Sequence, residues 1–146
     1  MEGRYAAARI YYLEALMLRR ELGDAYAVRT SLNVLGLSAV YGHEYAEGHK
    51  WLGESLEAAR ALHDQLGEAL ALRNLATLAF FEGEFETARR LNIESGQLGE
   101  RIGAHTAPVR LAREGLAMIA LAEGDYATAR AKGMESFTEW QALRDR

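Results

Sequence analysis

Four glutamates, Glu14, Glu54, Glu94 and Glu135, recur at spacings of 40, 40 and 41 residues. Repeated carboxylates are the first candidates for acid–base work, which in glycoside hydrolysis needs two carboxyls about 5–9.5 Å apart. A spacing this long places each glutamate on a separate equivalent helix, with another helix between. At about 8–10 Å per helix contact they stand too far apart to act as a pair. Surface pairing, as in Lys50–Glu54 and Arg90–Glu94, is the expected role, worth a few tenths of a kcal/mol. The histidines are His43, His49, His63 and His105, and no two share the i, i+3 or i, i+4 spacing that puts metal ligands on one helical face. Ser55, Ser95 and Ser136 fill one column after the glutamate without a general base at a matching position, so small size for packing explains them. Cysteine is absent, which excludes disulfides, thiolate metal sites and a thiol nucleophile. Gly96, Gly99 and Gly103 follow no strand and precede no Lys-Ser/Thr, so they form no phosphate loop. No catalytic residue, metal or cofactor is expected.

Charge narrows the partners further. Arginine outnumbers lysine fifteen to two, yet the doublets Arg19-Arg20 and Arg89-Arg90 neighbour acidic residues and the net charge is −4. That balance argues against nucleic-acid binding by this chain. The longest uncharged apolar stretches, 75–81 and 115–122, are short of the ~20 residues of a membrane span. Met1-Glu2-Gly3-Arg4 leads into no apolar signal core. A cytoplasmic protein with no membrane partner is the expectation.

The elements that would position these residues are helices. Alanine and leucine dominate while valine and isoleucine occur four times each, which favours helix over strand. Apolar residues recur at helical spacing, as in Leu62, Leu66, Ala69 and Leu70, followed by Leu72, Leu75, Ala76, Ala79 and Phe80. Gly23-Asp24, Gly42-His43, Gly83-Glu84 and Gly124-Asp125 punctuate them. Pro108, the single proline, falls near a helix start, where it is tolerated.

The glutamate column is one of several. Aromatic residues stand at Tyr5, Tyr45, Phe85 and Tyr126, small ones at Ala8, Gly48, Ala88 and Ala129, and apolar closures at Leu22, Leu62, Ile102 and Leu143. Loop aspartates follow three of the closures, at Asp24, Asp64 and Asp145. A second helix per period is keyed by Leu35-Gly36, Leu75-Ala76 and Leu116-Ala117. One register for so many columns predicts a repeat of helix pairs. B helices begin near 4, 44, 84 and 125 and A helices near 25, 65 and 106, seven in all, each about 25–28 Å long at about 1.5 Å per residue. Gly36, Ala76 and Ala117 would let an A helix approach its own B helix. The small B-helix column would do the same from the other side, with the aromatics filling the wedge at the turn.

Leu75-Ala76…Gly83-Glu84-Phe85…Ala88 and Leu116-Ala117…Gly124-Asp125-Tyr126…Ala129 resemble the signature of the tetratricopeptide repeat family. In the first full unit, Leu35-Gly36…His43-Glu44-Tyr45…Gly48, a histidine stands where the family has its turn glycine. The resemblance covers essentially the whole chain, although the usual period is about 34 residues and the family's late proline is absent. Longer units of this kind look like those of bacterial multidomain transcriptional regulators and signalling ATPases. HEAT repeats have the right period but not this turn signature. The implied fold is an all-α, right-handed α-solenoid of antiparallel helix pairs: a leading B helix at 3–22, then repeats at 24–62, 64–102 and 104–143.

Met1-Glu2-Gly3-Arg4-Tyr5 matches Ala122-Glu123-Gly124-Asp125-Tyr126, so the chain reads as starting inside a repeat. It ends near Leu143-Arg144-Asp145 at a B-helix closure. The expectation is about three and a half repeats of a longer solenoid, whose uncapped ends would self-associate.

The family's A helices line a groove that accepts peptides or partner domains. Its groove positions, carried over, are Thr30, Asn33, Leu37 and Tyr41 in the first unit. The second supplies Arg73, Thr77 and Phe81, and the third Glu114, Met118 and Leu121. Asn33 and Arg73 would bind a peptide backbone or carboxylate, and Tyr41, Phe81 and Met118 would seat apolar side chains. Leu37 departs from the family's lysine-rich carboxylate clamp. The resemblance thus implies a non-enzymatic protein-interaction or scaffold module within a larger cytoplasmic regulator. The alternative is a ligand or peptide sensor with a pocket near Tyr41, Arg73 and Phe81.

Overall fold

The loop aspartates start helices. Asp24 Oδ1 accepts from the Ala27 backbone N–H and Asp64 Oδ1 from that of Gly67, each at 2.9 Å, which satisfies a donor left open by the first helical turn. Thr106 precedes the helix that carries Pro108 in its first turn, where a missing N–H does no harm. The computed structural model describes the backbone of residues 2–103 and 106–144, and side chains at 9–103, 106–138 and 141. Within it run α1 (Glu2–Glu21), α2 (Ala25–Tyr41), α3 (Tyr45–Ala61), α4 (Gln65–Phe81), α5 (Phe85–Ile102), α6 (Ala107–Ala122) and α7 (Tyr126–Arg144). These are the seven expected helices, and no strand occurs among the described residues. The chain reverses through left-handed residues at Gly23, Gly83 and Gly124, and through His43 and His63, with φ of 60° and 53°.

Each even-numbered helix packs on the odd-numbered helix that follows it, and the pairs stack in chain order. The even-numbered helices also touch one another, α2 against α4 and α4 against α6, whereas no two odd-numbered helices approach as closely among the described residues. One layer is therefore tight and the other splayed, which places α2, α4 and α6 on the inner side of the stack.

Small residues set the close approaches. A Cβ on Gly36 would lie 2.5 Å from Leu52 Cγ, and one on Gly48 would meet Val40 at 3.2 Å and Leu78 at 3.5 Å. Val40, Leu52 and Leu78 form a buried cluster with Tyr45 packed on it, and Phe85 packs likewise on Ala79, Ala88 and Ile119. Both clusters draw one residue from the next even-numbered helix, Leu78 from α4 or Ile119 from α6. This explains a correction: Tyr126, expected to fill a wedge, is 71 % exposed, and among the described residues no further even-numbered helix packs on α7 to supply that residue. The side chains of Tyr5, Ala8, His105, Leu143 and Asp145 lie outside the described residues.

The serine column does more than save space. Ser55 Oγ donates to the Arg29 carbonyl at 3.1 Å and Ser95 Oγ to that of Ala69 at 2.7 Å, tying α3 to α2 and α5 to α4. Ser136 Oγ is buried without a hydrogen bond among the described residues. The glutamate column is also corrected. Arg90–Glu94 forms at 4.0 Å, but Lys50 Nζ lies 4.3 Å from the Trp51 ring centre instead of reaching Glu54. Glu54 pairs with Arg20 of α1 at 3.0 Å, and one repeat on Glu94 meets Arg60 of α3 at 4.0 Å. Glu54 and Glu94 thus bridge neighbouring odd-numbered helices.

Candidate functional site

The inner layer presents α2, α4 and α6 side by side, so residues at equivalent positions line up across it. At the α2–α4 seam, Asn74 Nδ2 donates to Asn33 Oδ1 at 3.0 Å, and Arg73 Nη1 donates to Asn74 Oδ1 at 3.3 Å. Thr77, one turn on from Arg73, donates its hydroxyl to the Arg73 carbonyl at 3.2 Å. Aromatic rings close the turn end of the face. Tyr41 and Phe81 meet edge-on with ring centres 6.1 Å apart, Phe80 lies 5.9 Å from Phe81, and the left-handed His43 adds a fourth ring, 6.4 Å from Phe81.

A cavity of about 90 Å³ opens beside these rings, lined by Tyr41, Arg73, Ala76, Thr77, Phe80, Phe81, Asn92, Gly115 and Met118. Tyr41, Arg73, Thr77, Phe81 and Met118, drawn from three helices, are the expected groove residues that do meet here. The other expected positions lie elsewhere. Asn33 and Leu37 are half-buried on α2, Asn33 being engaged by Asn74. Thr30 is exposed and donates to the Tyr26 carbonyl at 3.0 Å. Glu114 pairs with Arg110 of its own helix at 2.8 Å. Leu121 is 57 % exposed and stands one residue short of the column of Tyr41 and Phe81, which continues at Ala122.

Asn92 and Gly115 are additions that the groove positions do not include. Their signal is a break in a column: Asn92 stands one repeat after the buried Leu52, and Gly115 one repeat after Asn74. Asn92 is 3 % exposed and its Nδ2 donates to the Ala88 carbonyl at 3.0 Å.

The outer layer carries the perturbed ionisable groups. Bonding to Glu123, at 2.6 and 2.8 Å, holds the Arg89 guanidinium above its ordinary range. Hydrogen bonds from the Thr128 side chain and backbone hold the Asp125 carboxyl below its ordinary range, as suits a helix N-cap. An open cleft between α3 and α5 is floored by Leu75, Ala79 and Leu91 and rimmed by Glu84 and by His49, whose Nε2 lies 3.0 Å from Glu82. Among the described residues no group of three His, Cys, Asp or Glu side chains could hold a metal, and no helix is long and apolar enough to cross a membrane.

The crystal structure of BtubC (BKLC) from P. vanneervenii superposes with a TM-score of 0.79 over 99 % of this chain and 59 % of that one, at 20 % identity. The fold is a helical-repeat solenoid. Its sequence is 34 % identical to the regulatory protein AfsR of Streptomyces griseus over 91 residues, 62 % of this chain. The solenoid spans 9 % of the length of that relative and under two thirds of the matched structure. No family model matches.

Proposed function

We infer that this chain is a non-enzymatic protein-interaction module of tetratricopeptide type, serving as a sensor or scaffold segment of a larger cytoplasmic regulator. One observation carries the reading: side chains from α2, α4 and α6 converge on the inner face, with a guanidinium set among Tyr41, Phe81 and Met118. That combination suits a peptide or partner helix, where apolar anchors supply affinity and a polar group fixes register. The similarity to AfsR supports the regulatory setting. The test is the Arg73→Glu, Phe81→Ala double variant, assayed against partners recovered by crosslinking or peptide array. The reading expects at least about tenfold weaker binding with unchanged helical content. Unchanged affinity for every recovered partner would remove the inner face from the proposal.

Self-association is a second reading, supported by α1. That helix leaves Ile10, Tyr11, Met17 and Leu18 exposed.

A further inference from the structure

The two seams of the inner layer are built differently. At the first, the Asn74 side chain spans α2 and α4 by donating to Asn33. At the second, between α4 and α6, Gly115 occupies the column of Asn74 and Arg73 the column of Asn33. The side chain that closes the first seam is thus missing from the second, and the 90 Å³ cavity lies there. Below it, the Asn92 carboxamide takes the place of the apolar Leu52 of the preceding repeat.

The hydrogen-bonding demand of the gap is also changed. Asn33 accepts a bond at the first seam, but Arg73 can only donate. One Arg73 N–H is taken by Asn74 Oδ1 at 3.3 Å; a ligand that engages the remaining donors from the second seam brings an acceptor, and a carboxylate matches a guanidinium best. The carboxylate at the same column of α6, Glu114, is already held by Arg110 at 2.8 Å. The remaining wall is apolar, chiefly Phe80, Phe81 and Met118. A gap of this size can hold several waters or one branched hydrocarbon group.

We propose that the gap between α4 and α6 binds a small free aliphatic carboxylate, its hydrocarbon against Phe80, Phe81 and Met118 and its carboxylate on Arg73, with Asn92 beneath. The ligand site shares Arg73, Phe81 and Met118 with the face of the protein-interaction reading, but it needs no partner on that surface, because the ligand enters a gap within the inner layer. Such a ligand would brace the α4–α6 seam as Asn74 braces α2–α4.

The test titrates isovalerate into the 146-residue chain, with isovaleramide as the neutral match, and follows the side-chain amide resonances of Asn92 together with calorimetry. The expected result is saturable binding of isovalerate at about millimolar Kd, a shift of the Asn92 resonances, and at least tenfold weaker binding of the amide. Arg73→Gln should bring the acid down to the level of the amide while leaving the circular dichroism unchanged. Equal affinity for acid and amide, an Arg73→Gln variant that binds like wild type, or no saturable change by about ten times the expected Kd would each overturn the site. A peptide ending in leucine that bound more tightly than isovalerate would overturn the assignment to a free acid.

Discussion

Asn92 and Gly115 interlock: a Cβ placed on residue 115 would lie 2.5 Å from Asn92 Oδ1 and 2.7 Å from its Cγ and Nδ2. The buried amide on α5 therefore occupies the space that a side chain at 115 on α6 would need. Both line the same cavity, which makes that cavity a built departure from an otherwise regular stack.

Glycine replacements should separate close contact from simple helix weakening. Alanine is favoured over glycine in a helix by about 1 kcal/mol, and a Cβ on Gly53 would meet nothing within 4 Å, so Gly53→Ala should stabilise by about that much. Gly115→Ala must instead push the Asn92 amide aside, and overpacking of this kind costs about 1–3 kcal/mol. Urea denaturation of both variants measures the contrast, and a stabilised Gly115→Ala would contradict the interlock.

The Asn33–Asn74 bond holds the first inner seam. A double-mutant cycle with Asn33→Ala and Asn74→Ala should give a coupling energy of about 0.5–1.5 kcal/mol, as expected for a largely buried neutral hydrogen bond. Additive effects would mean that the seam rests on packing alone.

Serine replacements should behave unequally along one column. Ser95→Ala removes a bond of 2.7 Å to the Ala69 carbonyl and should destabilise by about 1 kcal/mol or somewhat more. Ser136→Ala removes a buried hydroxyl that makes no bond among the described residues, and should be neutral or stabilising. Thermal unfolding ranks the two.

The apolar face of α1 predicts concentration-dependent association. Sedimentation of the wild-type chain should show a species heavier than 16.2 kDa that Tyr11→Glu with Met17→Glu abolishes. A monomer for wild type throughout the concentration range would exclude that face as a self-contact.

Most of the architecture is legible in the sequence because repetition multiplies a weak signal. Asp24 and Asp64 cap where their columns say they should, and Gly36 and Gly48 lie at the expected helix contacts. What escapes is set by neighbours in space. Glu54 has Lys50 one turn away, yet reaches Arg20 across the splay between α1 and α3. Nothing in the local spacing chooses between those partners. Tyr126 matches Tyr45 and Phe85 in sequence but not in environment, since its cover would come from another helix. Five of the ten inner-face positions meet at the cavity, whereas Leu121 shows how one residue of register decides which side of a helix a side chain takes. Asn92 is visible only as an exception to its column, and exceptions stand out only once the column is trusted.

The splay between the odd-numbered helices has a mechanical consequence. The inner layer is joined by direct packing, while α1, α3 and α5 are linked across open space by Arg20–Glu54 and Arg60–Glu94. Packed seams are short-ranged and not weakened by ionic screening, but half-exposed charge pairs weaken as the screening length falls from about 10 Å at 0.1 M to about 3 Å at 1 M. Rising ionic strength should therefore loosen the outer edge of the solenoid before it affects the packed inner edge. Its curvature can soften with ionic strength while its helices stay folded.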